Sequence, residues 1–459
     1  MITISHDSVI RDLLRSRAGL TGILIIGFLV SITIIGYIYI PVDSYLQWNN
    51  PDYWINYPKD AAPIWTNLGF GPKSFEHQII SDDHAIIKTG KIQGINTVTY
   101  SFKFNIRSDT IPNDFMVVYE ISYGGIQPVV SLNLQRPDNH TFNMLFSSLP
   151  PQSNATSLYI GRIFSSDKTL RSNILQYRDQ FKYDINNEQT QDIVFSSALD
   201  NRILKGTYNS SITFFVFDNS TKIQNVYLIL GGDVFGLLGT DDLRRDLAIG
   251  IIWGSPVALF IGLTVSIISI SIGTIYGVIA GYRGKKTDEV LMRINDIFYS
   301  LPSLPLLILL SITIGRSIFV IVGILVIFGW VGTAKIIRSI SLQIRTFQYV
   351  DASKLMGQSD TKIIFKHIIP QLLPLTFASI AISVPGAILA EAGLSFLGLG
   401  DPSLPTWGQM LHDANSSDAA SRGLWWWIIP PGLMIALTGL AFFLVGNALD
   451  KLTNKTIKR

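Results

Sequence analysis

The chain contains no cysteine. Disulfides, thiol nucleophiles and thiolate metal sites are excluded, although the redox compartment stays open. Charge is scarce: 15% of residues are Asp, Glu, Lys or Arg, against about 25% in an ordinary soluble protein. The formal net charge is only +3, too small to make an electrostatic footprint for nucleic acid. Six histidines are scattered without an HExxH pair or similar cluster, which argues against a zinc hydrolase and leaves no metal site in view. A phosphate-binding loop is also missing. Gly281-Tyr282-Arg283-Gly284-Lys285-Lys286-Thr287 has its flavour, but not the G-x-x-x-x-G-K-[ST] spacing, and it lies between two apolar runs. No Walker A match occurs anywhere in the sequence, so no ATP-hydrolysing site is in view.

What is abundant is apolar surface: 48% of residues are hydrophobic, with a mean hydropathy of +0.34. The first apolar run, Ala18 to Ile40, follows Arg11, Arg15 and Arg17 as a secretory signal would. It is longer than the roughly 7–15 residues of a signal's apolar core, and Tyr37, Tyr39 and Pro41 offer no small-residue cleavage pattern. It reads as a retained transmembrane helix. Later runs at Pro256–Tyr282, Phe298–Ile314, Ser317–Ile336, Leu372–Leu397 and Leu424–Leu449 are each near the ~20 residues a bilayer requires. With the first run they make six spans.

Basic residues set the direction, because Lys and Arg concentrate on the cytoplasmic side. Arg11, Arg15 and Arg17 share a side with Arg283, Lys285 and Lys286, with Lys335, Arg338, Arg345, Lys354, Lys362 and Lys366, and with Lys451, Lys455, Lys458 and Arg459. Both termini are therefore expected in the cytoplasm, in a multi-pass plasma-membrane protein. The expected domains are a cytoplasmic tail (1–17), the first span (18–41), an external domain (42–236), a helical core (237–449) with a cytoplasmic loop at 346–371, and a final tail (450–459).

The external segment has no membrane-length apolar run. Alternating or β-branched stretches at Thr97–Ile106, Phe115–Ser122, Val129–Leu134, Leu158–Phe164, Ile212–Phe217 and Lys222–Leu230 predict strands. Turn residues such as Pro137-Asp138-Asn139 separate them, as a β-sandwich or other compact β domain requires. Asn139, Asn154, Asn209, Asn219 and Asn415 each begin an N-x-Ser/Thr sequon in loops assigned outside. Chance in Asn- and Ser-rich loops accounts for such motifs about as well as glycosylation, which would need a eukaryotic or archaeal surface. Asn454 carries the motif too, in the cytoplasmic tail.

The stretch Tyr349 to Pro374 is the most informative. Phe347 to Met356 predicts a short helix ended by Gly357, since a left-handed C-cap favours glycine. Ser359 is placed to cap a second helix, with Asp360 complementing its dipole. Ile363, Ile364, Ile368 and Ile369 give that helix an apolar stripe, and Pro370 is expected to stop it. A helix–elbow–helix of this kind presents a rigid knob to a partner's groove.

With Asp351, Ala352, Ser353, Leu355, Gly357, His367 and Pro370, this stretch resembles the EAA loop of ABC import permeases. Asp351 stands where Glu is usual and Ser353 where Ala is usual, so a carboxylate and a small residue are retained. A second segment, Leu238 to Asp246 with Gly239, Thr240, Asp241, Arg245 and Asp246, resembles the LGTDxLGRD signature of dipeptide/oligopeptide permeases. Arg244 replaces the usual Gly there; Thr240 or Asp241 is expected to cap an interfacial helix. Ala280–Gly284, Asp288, Met292-Arg293, Asp296 and Ser300–Ser303 resemble the family's turn and third-span entry. Glu391 to Gly400, with Ser395, Phe396 and Gly398, and Pro405 to Leu411, with Trp407 and Gly408, resemble the C-type rather than the B-type subunit. The likeness covers roughly residues 1–42 and 236–459; the long insert has no counterpart in it.

The resemblance implies an α-helical polytopic membrane protein with the six-helix ABC importer permease fold and a β-rich external domain inserted after the first helix. It implies half of a translocation pathway for peptides or oligosaccharides, with no catalytic residues. Coupling would pass through the 346–371 loop to two ATPase subunits that bind ATP and Mg, so this chain itself needs no cofactor. A B-type permease subunit and an extracytoplasmic binding protein would complete the assembly. A competing class is a membrane-anchored receptor or adhesion protein acting through its external domain, but a mere anchor has no need of the Asp351–Pro370 loop. Other conspicuous residues have plain readings. Glu391 reads as a carboxylate near the interface, Arg293 and Asp296 as a local pair on one helix, and Trp425, Trp426 and Trp427 as an aromatic belt.

Overall fold

The computed structural model describes residues 13–69, 71–124, 126–152, 157–177, 189–197, 202–218 and 220–457. The positions Arg11, Asn154, Asn219, Lys458 and Arg459 invoked above lie outside the described residues. The chain forms two units, one spanning Pro51–Leu247 and the other made from the sequence before and after it.

The inserted unit is a β-sandwich. Its strands are β1 (Gln78–Ser81), β2 (Ile86–Ile92), β3 (Ile95–Ile106), β4 (Asp114–Ser122), β5 (Val129–Gln135), β6 (Thr141–Ser148), β7 (Leu158–Phe164), β8 (Gly206–Val216) and β9 (Lys222–Gly231). They form a four-stranded sheet ordered β1-β9-β4-β7 and a five-stranded sheet ordered β2-β3-β8-β5-β6. All these strand pairs are antiparallel.

Alternation drives the packing. Tyr100, Phe102, Phe104 and Ile106 of β3 and Tyr208, Ile212 and Phe214 of β8 point inward. There they meet Phe115, Val117, Tyr119 and Ile121 of β4 in one core. Edge-on aromatic contacts stitch the sheets together: the Tyr119 and Phe214 rings lie 5.2 Å apart at 74°. The opposite face of the five-stranded sheet carries hydroxyls instead, with Thr99 and Thr213 hydrogen-bonded across the strands. Between β2 and β3 the chain reverses through Gln93 and Gly94, both at positive φ, as a two-residue hairpin turn requires.

The helical unit begins with α1 (Arg17–Tyr39), capped by the Ser16 hydroxyl, which accepts from the Gly19 N–H. It continues with α2 (Leu247–Arg283), α3 (Lys285–Ser300), α4 (Ser303–Ile314), α5 (Ile318–Gly329) and α6 (Val331–Ile344). Then follow α7 (Gln348–Leu355), α8 (Asp360–Ile363), α9 (Ile369–Phe396), α10 (Trp407–Ser416) and α11 (Trp425–Ile457). Among the described residues five helices are long and apolar enough to cross a membrane, and the bent pair α3–α4 supplies a sixth span if counted as one.

That third span differs from the single Phe298–Ile314 run read in the sequence. Leu301 adopts an extended conformation ahead of Pro302, because a proline disfavours the helical region for the residue before it. The two helices therefore meet at 78°. Asp296 does not pair with Arg293 as expected but with Lys335 on α6, at 2.8 Å. Nearby, Arg338 of α6 holds Asp288 of α3 through two guanidinium contacts.

Small residues let the membrane helices approach. A β-carbon on Gly273, Gly277 or Gly281 of α2 would lie within 2.7 Å of the backbone of Trp330, Ala334 or Arg338. The four-residue spacing puts all three glycines on one face. On α1, Gly22 meets Ala441 and Val445 of α11 in the same way. Trp427, in the first turn of α11, is fully buried rather than at the surface, which removes it from the expected aromatic belt; Trp425 remains exposed.

The coupling elbow and the signature turns

The 346–371 stretch forms an elbow whose back is buried and whose tip is bare. Helix α7 ends in a Schellman motif. Gly357 takes φ +77°, its N–H bonds to the Lys354 carbonyl, and the Gln358 N–H reaches the Ser353 carbonyl. The Ser359 hydroxyl then accepts from the Lys362 N–H at the start of α8. Ile363, Ile364 and Ile368 pack with Val350, Val278, Ile337, Ile344 and Leu372 in one apolar cluster.

Polar ties lock the elbow from the sides. The Tyr282 hydroxyl donates to Asp360 at 2.9 Å, and the Lys354 ammonium lies 5.1 Å from the Tyr282 ring centre. His367 Nε2 meets Gln358 Oε1 at 3.0 Å, and the Tyr349 hydroxyl donates to Gln371. At the tip, Leu355 is 89% exposed and Met356 71%. Asp351 and Ala352 share that exposed side, whereas Ser353 is buried with its hydroxyl on the Tyr349 carbonyl.

Pro370 does not stop the second helix. A π-helical turn at Ile364–Ile368 precedes α9, and the Ile369 N–H reaches back to the Ile364 carbonyl. Proline falls just inside α9, where its missing N–H leaves little to satisfy. Pro374 and Pro385 also sit within that helix.

The Gly239–Arg245 part of the signature folds as a buried turn within the inserted unit, and neither Thr240 nor Asp241 heads a helix. The Thr240 hydroxyl donates to the Pro58 carbonyl and accepts from the Ala61 N–H. Asp241 accepts from the Leu243 and Arg245 N–H groups and from Arg245 Nε at 2.6 Å. Burial raises the Asp241 carboxyl to about 6, against the opposing pull of Arg245. Gly239, at φ +76°, accepts from the Leu247 N–H at the start of α2, directly after Asp246. Arg244, which stands where the resembled signature has glycine, takes φ +67°. Its guanidinium donates to the Tyr57 carbonyl and, at 2.6 Å, to Asp114 on β4.

The second signature is a knot of its own in the helical unit. Glu391 is buried in α9, its carboxylate accepting from the Ser395 hydroxyl at 2.7 Å and hydrogen-bonded to the Thr406 side chain. A β-carbon on Gly408 would come within 2.7 Å of Ala392. Trp407, also buried, donates to the Ile251 carbonyl. Gly398 at φ +77° ends α9 beside His412, whose Nδ1 meets the carbonyl of exposed Phe396. Gln358 was not singled out in the sequence, and Tyr282 and Thr406 stood there only inside longer segments, without the partners they take here. Their partners lie outside any helical period, so no local pattern marks them.

Apolar helices joined through glycine contacts, with a bent short span and an elbow bare at its tip, define a multi-pass membrane protein. Residues 273–459 match the family model described as "Binding-protein-dependent transport system inner membrane component". The dipeptide transport system permease protein DppC of Bacillus subtilis is 37% identical over 222 residues, covering 48% of this chain and 69% of that protein. The oligopeptide transport system permease protein OppC of the same organism is 38% identical over 212 residues, covering 46% and 68%. OppC of Haemophilus influenzae is 37% identical over 216 residues, covering 47% and 68%. The chain belongs to the family of binding-protein-dependent transport system inner membrane components. It is an ABC importer permease, a multi-pass plasma-membrane protein that is a transport component and not an enzyme.

Proposed function

We propose that this chain is the C-type subunit of an ATP-driven peptide importer, forming half of the translocation pathway beside a B-type permease subunit. Two ATPase subunits, which bind the ATP and Mg, drive it, and an extracytoplasmic binding protein delivers the substrate. Both termini and the elbow face the cytoplasm, and the β unit faces outward. The names of the dipeptide and oligopeptide relatives support peptides as the cargo over oligosaccharides.

The elbow carries this reading. An exposed Leu355–Met356 tip on a fixed turn suits insertion into a groove of an ATPase, and the isoleucine cluster behind it passes motion directly to α9. Closure of the ATPase pair would push the tip and swing the helices between inward- and outward-open forms. Gly357 gives a clean test. Nothing lies within 4 Å of a β-carbon built there, so a side chain meets no neighbour and only the left-handed backbone is strained. Gly357→Val should cost about 1–2 kcal/mol at the elbow. Membrane insertion should remain normal, while uptake and ATPase stimulation in the reconstituted complex fall severalfold. Unchanged coupling would remove the elbow from the mechanism.

A further inference from the structure

The sequons are the one motif that transport leaves unexplained, and the structure separates them. Asn139 sits at the tip of the β5–β6 hairpin, exposed, at φ +65°. Asparagine tolerates that left-handed conformation better than most residues. The turn beneath it is firmly built. The Asn139 N–H bonds to the Arg136 carbonyl, the Arg136 N–H to the His140 carbonyl, and Asp138 accepts from both the His140 N–H and the Arg136 guanidinium. None of these bonds uses the Asn139 side-chain amide. Thr141, the hydroxyl residue of the motif, is also exposed at the first position of β6.

Asn209 carries the same motif in the opposite setting. It lies on β8, an interior strand of its sheet, paired with Lys103 on one side and Gln135 on the other. Its side-chain oxygen is buried, and Ser211 is held between Ser101 and Asn133. A glycosylation acceptor belongs on a surface loop, and a strand hydrogen-bonded on both edges cannot bend out to become one.

We propose that Asn139 is an N-glycosylation site and that Asn209 is not. The proposal rests on the reading that places the β unit outside the cell. The donor is a lipid-linked glycosyl phosphate or diphosphate. Asn139 Nδ2 forms a bond to the anomeric carbon, and the bond from that carbon to the phosphate oxygen breaks. The lipid phosphate leaves with the electron pair, and one amide proton is released; nothing is oxidised or reduced.

The test is glycopeptide mass spectrometry on the full chain purified from membranes of the organism that makes it. A glycan mass on the Asn139 peptide is expected, lost in Asn139→Gln and Thr141→Ala and retained in Thr141→Ser. The Asn209 peptide should be bare. An unmodified Asn139, or modification of Asn209 in its place, overturns the proposal. Orientation is read separately by labelling a Lys88→Cys variant in intact cells with a membrane-impermeant maleimide, since the chain has no other cysteine and β2 is exposed. Labelling without a glycan sinks the glycosylation alone. Absence of labelling sinks the outward placement, and the glycosylation with it.

Discussion

The two units hold together by different means. The β unit fills its interior with aromatic rings from facing sheets, Phe102, Phe104, Phe115, Tyr119, Tyr208 and Phe214 among them. The helical unit uses its closest contacts differently: Gly273, Gly277 and Gly281 lay α2 almost backbone to backbone on α6. In water, large apolar side chains gain by leaving the solvent. Among lipid tails they gain little, so close approach and polar knots such as Glu391–Ser395 take over. One chain thus follows two packing rules, set by its two solvents.

The largest expected effect comes from breaking the aqueous rule. Phe214 is fully buried between the Tyr100 and Tyr119 rings. Phe214→Ala should destabilise the β unit by about 3–5 kcal/mol. Denaturant unfolding of residues 51–247 expressed alone measures this, and detergent stability of the helical unit should not move. Equal loss in both units would erase the distinction.

A pH experiment sharpens it next. Burial lowers His77 to about 4, from an ordinary 6.5. Below pH 6.5 the unfolded chain takes a proton that the folded unit refuses. Stability contributed by the neutral ring is thus whole above that pH and lost as pH falls toward 4, up to about 3 kcal/mol. Asp241 works in the other direction, since its raised carboxyl takes up a proton in the folded unit first. The His77→Gln difference curve isolates the histidine. It should be flat above pH 7 and narrow steadily toward pH 4; a parallel offset at all pH values would exclude the titration.

The smallest effect tests the membrane rule. Gly277→Val places a branched side chain where a β-carbon already lies 2.5 Å from the Ala334 carbonyl oxygen. The overpacking should cost about 1–3 kcal/mol, read as a lower melting point of the full chain in detergent, with residues 51–247 unaffected. A neutral result would mean that the helices have room to separate.

Legibility in the sequence followed the same divide. Strands with one buried face announced themselves, as in β5, where Val130, Leu132 and Leu134 alternate with half-exposed neighbours. The seven residues of β2 are all exposed, so no alternation marked them. The bulge in the β5–β6 pairing falls at Met144, which is skipped between Asn143 and Leu145, and the exposed Phe146 beyond it breaks the apolar alternation, which hid β6. The elbow was readable because its glycine cap and serine cap are local devices. The fate of Thr240 was not, since its partners Pro58 and Ala61 lie about 180 residues away. Pro302 and Pro370 show why one residue type misleads: the first bends a span by forcing Leu301 out of the helix, whereas the second rides inside α9.

That second proline depends on the π-helical turn at Ile364–Ile368. In the language of waves, the turn is a phase shifter. It takes up one residue more than an α-helical turn would need, so the apolar faces before and after it keep their own aim. The elbow side can point its isoleucines at α6 while the membrane side of α9 keeps Glu391 turned toward Thr406. Length at this junction is thereby uncoupled from direction.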